Sequence, residues 1–312
     1  MRAAVTGGTG LIGAALIDRL LSQHWAVAAL ARNPDKLSAK LRDHEALSVV
    51  KGDLDSEHAL RALAKDAELF IHFAGVTHAR EPEVYRAVNV KGAARAARAA
   101  AAAGAPFIHI SSLSAREPET SPYARSKFES EDAVRAASGS NPWRALRLPA
   151  IYGPGDVATL PYFRLVKAGF ALEPRTSPPA RASLLFVEDA AGAAVAAAEA
   201  PANAVYEVGD DRREGRSWSE IGQTLGDALG KTPRALRIPR PAVSAAHGII
   251  GAVERIAGRP PSVRPGQARE FFHPDWVARD NLLSDACAWR PQTSLEEGFA
   301  KTLHWYQENG LI

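Results

Sequence analysis

Nine residues near the start of the chain, Val5-Thr6-Gly7-Gly8-Thr9-Gly10-Leu11-Ile12-Gly13, restrict its fold more than any other stretch. They follow a short apolar run at 3–5 and open an amphipathic pattern over 10–23. A glycine at every third position between a strand and a helix has a specific physical use. Gly7 permits a tight turn, Gly10 lets the backbone approach a pyrophosphate, and Gly13 lets the helix pack close against the strand. Thr9, Leu11 and Ile12 complete the loop, and the helix N-terminus turns free N–H groups and a partial positive charge toward the phosphates. The strand–turn–helix context separates this pattern from a chance glycine triplet.

The first half repeats the same alternation. Residues 26–31, 48–51, 69–73, 107–110 and 144–148 read as strands, and 57–65, 84–103 and 122–137 as helices. Strands alternating with helices predict an α/β fold, a doubly wound parallel sheet of the Rossmann kind, with ligands at the carboxyl ends of the strands. Past Pro149 the rhythm changes. Pro154, Pro161, Pro174, Pro178 and Pro179 break 153–180 into loops and short pieces. A strand-then-helix pattern returns over 183–200, 204–208 reads as one more strand, and proline-punctuated helices follow. The expected division is a dinucleotide-binding domain at 1–152 plus 182–208 and a smaller substrate cap at 153–181 plus 209–312.

Composition adds exclusions. With 312 residues, 46% of them hydrophobic, the chain can bury a sizeable core. A net charge of +3 does not call for nucleic acid as a partner, so a small-molecule substrate is expected. The single cysteine, Cys287, excludes an internal disulfide and fits a reducing cytoplasm. No signal peptide is read at the N-terminus, and charges interrupt the alanine-rich runs, so no integral membrane segment is expected. The nine histidines show no paired-ligand spacing, which leaves no metal site. His72, His78 and His109, nearest the crevice, read as packed or solvated side chains, and Tyr85, Trp143 and Phe163 as core. No GxSxG elbow supports a serine hydrolase. A homodimer stays open.

The second strand indicates which dinucleotide is bound. An NAD site places an acidic residue at its end, but here Ala31 ends the strand and Arg32 follows, with Lys36 nearby. A guanidinium without a carboxylate suits a 2′-phosphate, so NADP is expected, with NAD the alternative. Further on, Tyr123 and Lys127 stand four residues apart at the start of a helical pattern, on one face. The lysine ammonium would lower the phenol's pKa and let Tyr123 exchange a proton with a substrate hydroxyl or carbonyl. Upstream, Ser111 and Ser112 end a strand and Ser114 follows. Ser112 is preferred as the serine that binds the reacting oxygen, with the other two open.

The ordered set of motifs resembles the extended short-chain dehydrogenase/reductase superfamily, in its NAD(P)-dependent epimerase/dehydratase branch. The glycine loop, Gly52-Asp53-Leu54, Phe73-Ala74-Gly75, Val88-Asn89-Val90, the Tyr/Lys pair and Leu148-Pro149-Ala150-Ile151-Tyr152-Gly153 all fall in family order. The resemblance implies that Asp53 and Leu54 contact the adenine and that Ala74 and Gly75 lie beneath the cofactor. It also implies that Pro149 and Ile151 touch the nicotinamide carboxamide, that Asn89 holds a water in a proton relay, and that Tyr123 and Lys127 touch the cofactor as well. Two departures bear on substrate. Ser112 precedes Tyr123 by a short gap, which leaves little room for a nucleotide-sugar loop, and Leu113 and Ser114 replace the Asp-Glu pair of sugar dehydratases. The expected activity is an NADP-dependent oxidoreductase acting on a secondary alcohol or ketone, with a hydrophobic, steroid-like ring favoured. A nucleotide-sugar epimerase with the same triad is the first alternative, and a non-catalytic dinucleotide sensor or assembly subunit the second.

In the cap, apolar residues recur at helical spacing over 242–257, and eight basic residues against one acid lie between Lys231 and Arg269. The plainer expectation packs the apolar stripe on the cap core and leaves the charges solvated. The sharper one makes the stripe wall an apolar pocket or rest on an anionic membrane surface.

Overall fold

The computed structural model describes residues 1–259 and 262–312. Its centre is a sheet of seven parallel strands. These are β1 (Arg2–Thr6), β2 (Ala26–Ala31), β3 (Leu47–Lys51), β4 (Leu69–His72), β5 (Phe107–Ser112), β6 (Trp143–Leu148) and, later in the chain, β11 (Ala204–Glu207). Their spatial order is β11-β6-β5-β4-β1-β2-β3, so the direction of winding reverses between β1 and β4. This is the expected α/β doubly wound sheet.

Strand alternation divides the core. Ala3 and Val5 of β1, Val27 and Ala29 of β2 and Ile108 and Ile110 of β5 face one layer, with the helices Leu11–Ser22 and Val187–Ala196. Ala4, Ala28, Leu30 and Phe107 face the other, with Glu57–Ala64 and Ala93–Ala103. The alanine-rich helix buries Ala93, Ala96, Ala97 and Ala100 completely, because methyl side chains let its backbone lie close to the sheet. The expected single helix over 84–103 is instead Pro82–Tyr85, a π-helical turn at Arg86–Gly92, and Ala93–Ala103.

The proline-rich segment holds more structure than its punctuation suggests. After β7 (Ala150–Tyr152) come a helix at Leu160–Lys167 and β8 (Phe170–Pro174), where only loops and short pieces were expected. Then come β9 (Arg181–Ala182) and β10 (Leu184–Phe186), the latter pairing in parallel with β7. Beyond β11 the chain adds β12 (Arg216–Ser217), β13 (Arg234–Ile238) and β14 (Asp275–Trp276) among its helices. A third core joins Tyr152, Leu160, Phe163 and Phe186 to Phe299 and Tyr306 of the helix Leu295–Glu308. Tyr85, Trp143 and Phe163 are buried as expected.

The helix Arg240–Ile256 departs from the plainer expectation. Its stripe does not pack on a cap core: Ile249, Val253 and Ile256 are 66%, 56% and 88% exposed. Among the described residues no helix is long and apolar enough to cross a membrane.

Candidate active site

The carboxyl ends of β1 and β4 flank the point where the winding reverses, and that is where an open parallel sheet forms its crevice. Gly7 leaves β1 with φ +78°, and a Cβ there would stand 2.6 Å from the Ala74 nitrogen. The phosphate loop and the 73–75 loop therefore touch, and the Ala74 N–H donates to Thr6 Oγ1 at 3.3 Å. A Cβ on Gly13 would overlap the Gly7 carbonyl oxygen, so the helix Leu11–Ser22 starts hard against the turn. Gly10 caps that helix without a side chain, and the N–H groups of Leu11, Ile12 and Gly13 have no acceptor among the described residues. Unpaired donors at a helix N-terminus fit a pyrophosphate. Thr9 is exposed beside them.

Arg32 lies just past β2, exposed and without a hydrogen bond or ion pair among the described residues; Lys36 is exposed as well. Asp53 accepts from the N–H groups of Asp55 and Ser56, both at 3.0 Å, and so fixes the turn into Glu57–Ala64. Leu54 packs against Gly92, where a Cβ would come within 2.7 Å of its Cδ1. Gly75 is exposed and lies against Asn89, whose Oδ1 would stand 3.2 Å from a Cβ there. Pro149 is buried between β6 and β7, and Ile151 is half-buried within β7.

Asn89 sits in the π-helical turn, buried, with its amide fully engaged. Its Oδ1 accepts from the Val76 N–H at 2.8 Å, and its Nδ2 donates to Val76 O at 3.0 Å and to Ser126 Oγ at 2.9 Å. The asparagine thereby ties the loop after β4 to the helix Pro122–Ser138. π-turns of this kind are frequent at functional sites.

That helix carries Tyr123 and Lys127. Ser121 caps it, accepting from the Ala124 N–H at 2.9 Å. The three upstream serines separate cleanly. Ser111 turns into the interior and donates to Glu131 at 2.5 Å, within a network where Arg147 grips the same carboxylate at 2.9 and 2.8 Å. Ser112 faces the Tyr123 phenol, and its hydroxyl pulls that phenol's pKa downward. Ser114 donates to Ser112 Oγ at 2.9 Å and so orients it.

Burial pushes the Tyr123 phenol above its ordinary 10.0, outweighing the Arg264 guanidinium and Ser112, which pull it down. At neutral pH the phenol is therefore protonated. Lys127, expected beside the phenol, stands one helical turn on. Its ammonium donates to Ile110 O at 2.6 Å and is pushed down to about 8 by burial, with Glu131 opposing. A lysine whose folded pKa lies below 10.5 makes the folded state release its proton first. Stability accordingly rises with pH between about 8 and 10.5. If activity needs the Lys127 charge, turnover falls along an alkaline limb centred near pH 8. A pH–rate profile checks this; a limb only above pH 10 would implicate the Tyr123 phenol instead.

The residue that sequence reasoning missed is Arg264. Its guanidinium carbon stands 4.5 Å from the centre of the Tyr123 ring, a cation–π contact. Arg264 also pairs with Glu270, and Glu270 accepts from Ser121, the cap of the Tyr/Lys helix. The far end of the chain thus covers the phenol. No local pattern marks this contact, which belongs to a stretch read only as a basic face.

His72 and His109 are packed, as expected. Their rings stack at 5.6 Å, with Thr6 Oγ1 at 2.7 Å from His72 and Ser130 Oγ at 2.8 Å from His109. Burial, reinforced by Lys127, holds His72 down to about 3 and His109 well below its ordinary value, so both are neutral. His78 is exposed and is pulled below 6.5 by partial burial and Arg264. Among the described residues no cluster of three metal-ligating side chains occurs.

The sequence model of the NAD dependent epimerase/dehydratase family matches residues 3–209. The chain belongs to that family. Over 309 residues, 99% of this chain and 95% of the other, it is 41% identical to a ceramide reductase of Caulobacter vibrioides. It is 30% identical over 183 residues, 50% of this chain and 48% of the other, to a 3 beta-hydroxysteroid dehydrogenase/Delta 5-->4-isomerase of Mycobacterium tuberculosis. Its fold matches a UDP-glucuronic acid 4-epimerase from Bacillus cereus in complex with NAD, with a TM-score of 0.75, 18% identity and 99% of each chain covered. This member of the epimerase/dehydratase family is accordingly an NAD(P)-dependent enzyme of the oxidoreductase or epimerase kind.

Proposed function

We propose that this chain is an NADPH-dependent reductase of a lipid-like ketone. The observation that carries the reading is the Tyr123 phenol, held protonated, facing Ser112, with Lys127 one helical turn on. Reduction needs a proton delivered to the oxygen of a carbonyl as hydride reaches its carbon. Ser112 binds that oxygen, oriented by Ser114. Tyr123 donates the proton, and Lys127 keeps its charge one helical turn on and would bind the nicotinamide ribose when the dinucleotide is present. The bound dinucleotide supplies the hydride. Asn89 positions the Tyr/Lys helix through Ser126, alongside the water-holding role that the family resemblance implies.

The substrate class rests on the relatives. The ceramide reductase matches nearly end to end, whereas the hydroxysteroid enzyme matches half of the chain. A ceramide-like long-chain ketone is therefore preferred over a ring. A second reading has its own support. A cleft of about 520 Å³ beside Arg264 is lined by Arg80, Arg240, His247 and Arg255, groups able to hold a diphosphate. A nucleotide-sugar epimerase would use them so. Turnover of a UDP-sugar with oxidised NAD(P)+ and no net change in the cofactor would establish that reading, and NADPH oxidation with a long-chain ketone the first.

Cofactor preference follows from Arg32. NADPH is expected to bind more tightly than NADH, and Arg32→Ala to cost roughly 1.5–3 kcal/mol of NADPH binding while leaving NADH unchanged. Fluorescence titration of both reduced cofactors checks this, and equal affinities in the unaltered chain would refute it.

A further inference from the structure

The helix Arg240–Ile256 is amphipathic in the reverse sense for a protein surface. Its polar side, with Arg240, Ser244, His247, Gly251 and Arg255, lines the cleft against 263–269. Its apolar side looks outward. At 100° per residue Ala242, Ala246, Ile249, Val253 and Ile256 share one face, opposite that cleft. The four largest outward side chains are exposed at 66% (Ile249), 41% (Ile250), 56% (Val253) and 88% (Ile256). A contiguous outward apolar face of this kind marks an interaction site.

Charge decides what it fits. Exposed Lys231, Arg234 and Arg237, the last paired with Glu173, precede the helix and Arg259 follows it, while Arg240 and Arg255 lie on its cleft side. The single acid in this stretch, Glu254, is buried and accepts from the Ser262 N–H at 3.0 Å. An apolar face flanked by cations before and after it is the chemistry of a helix lying in the plane of an anionic bilayer, with aliphatic side chains among the acyl chains and the flanking cations at the phosphates. No helix among the described residues is long and apolar enough to span, so the contact would be peripheral. The same element leads directly into the segment that places Arg264 over Tyr123.

We propose that this helix docks the enzyme on an anionic membrane surface, with Ile249, Ile250, Val253 and Ile256 inserted at the headgroup boundary. The proposal goes beyond the reductase reading and does not depend on it, since docking is read without any substrate. The test is sedimentation of the full chain with vesicles of equimolar phosphatidylglycerol and phosphatidylcholine, against phosphatidylcholine alone. The expected result is binding to the anionic vesicles that weakens with added salt. A triple variant, Ile249→Glu with Val253→Glu and Ile256→Glu, should bind roughly tenfold less or weaker with an unchanged melting temperature. These side chains already face water, so the variant retains its fold. Unchanged binding by the variant, or no binding by the unaltered chain, would overturn the proposal. So would light scattering that shows a dimer dissociated by the triple variant, because a second copy would then be the occupant.

Discussion

Replacing Tyr123 by phenylalanine is expected to lower turnover by about 10²–10⁴-fold, the usual contribution of a positioned acid. Affinity for the cofactor should stay near that of the unaltered chain. The phenol is buried and faces Ser112 rather than the phosphate loop, and its ring would keep the contact with Arg264. The ring also stands 6.2 Å from Tyr85, edge to face, a packing that phenylalanine preserves. Fluorescence titration with NADPH and steady-state turnover on the same preparation separate the two effects. A variant that turned over normally would remove Tyr123 from the chemistry. One that failed to bind NADPH would make it a cofactor-holding or structural residue.

The second large effect is expected at Gly13. A Cβ there meets a backbone carbonyl, Gly7 O, and not the end of a flexible side chain, so the loop itself must move. Gly13→Ala should therefore destabilise the chain by about 1–3 kcal/mol, the usual cost of over-packing. It should also displace the N–H groups that fit the pyrophosphate, so that NADPH binding is lost. Gly248→Ala is the control: nothing lies within 4 Å of a Cβ there, in mid-helix. It should be neutral or stabilising by up to about 1 kcal/mol. Thermal unfolding and cofactor titration measure both variants. A tolerant Gly13→Ala that binds NADPH would mean that the loop is not the phosphate cradle.

Much of this architecture was legible because it obeys local rules. β1, β2 and β4 announce themselves as apolar runs, and the glycines between β1 and its helix have only one economical use. The Tyr/Lys helix was legible from its pattern over 122–137, and the structure supplies the reason it starts there: Ser121 caps it and Pro122 stands in its first turn. The same rule explains a miss. Pro161 reads as a breaker, yet it stands in the first turn of Leu160–Lys167, where its missing N–H is not needed. The π-turn at Arg86–Gly92 has no signature that distinguishes it from an α-helix, so the placement of Asn89 could not be derived. Arg264 over Tyr123 is a long-range contact, fixed by Glu270 and Ser121 and invisible to any window of sequence. The apolar stripe over 242–257 was legible as a periodicity, but the plainer expectation that it packs on a cap core fails. Spacing shows that a face exists, and only the fold shows which way it points.

The most direct test of the account is NADPH absorbance during incubation with a ceramide-like long-chain keto-amide in detergent micelles, run beside an incubation with oxidised NAD(P)+ and a UDP-sugar. Stoichiometric oxidation of NADPH with the lipid, abolished in Tyr123→Phe, and no conversion of the UDP-sugar is the result expected. Epimerisation of the UDP-sugar with no net reduction of NAD(P)+, and no response to the lipid, would contradict it.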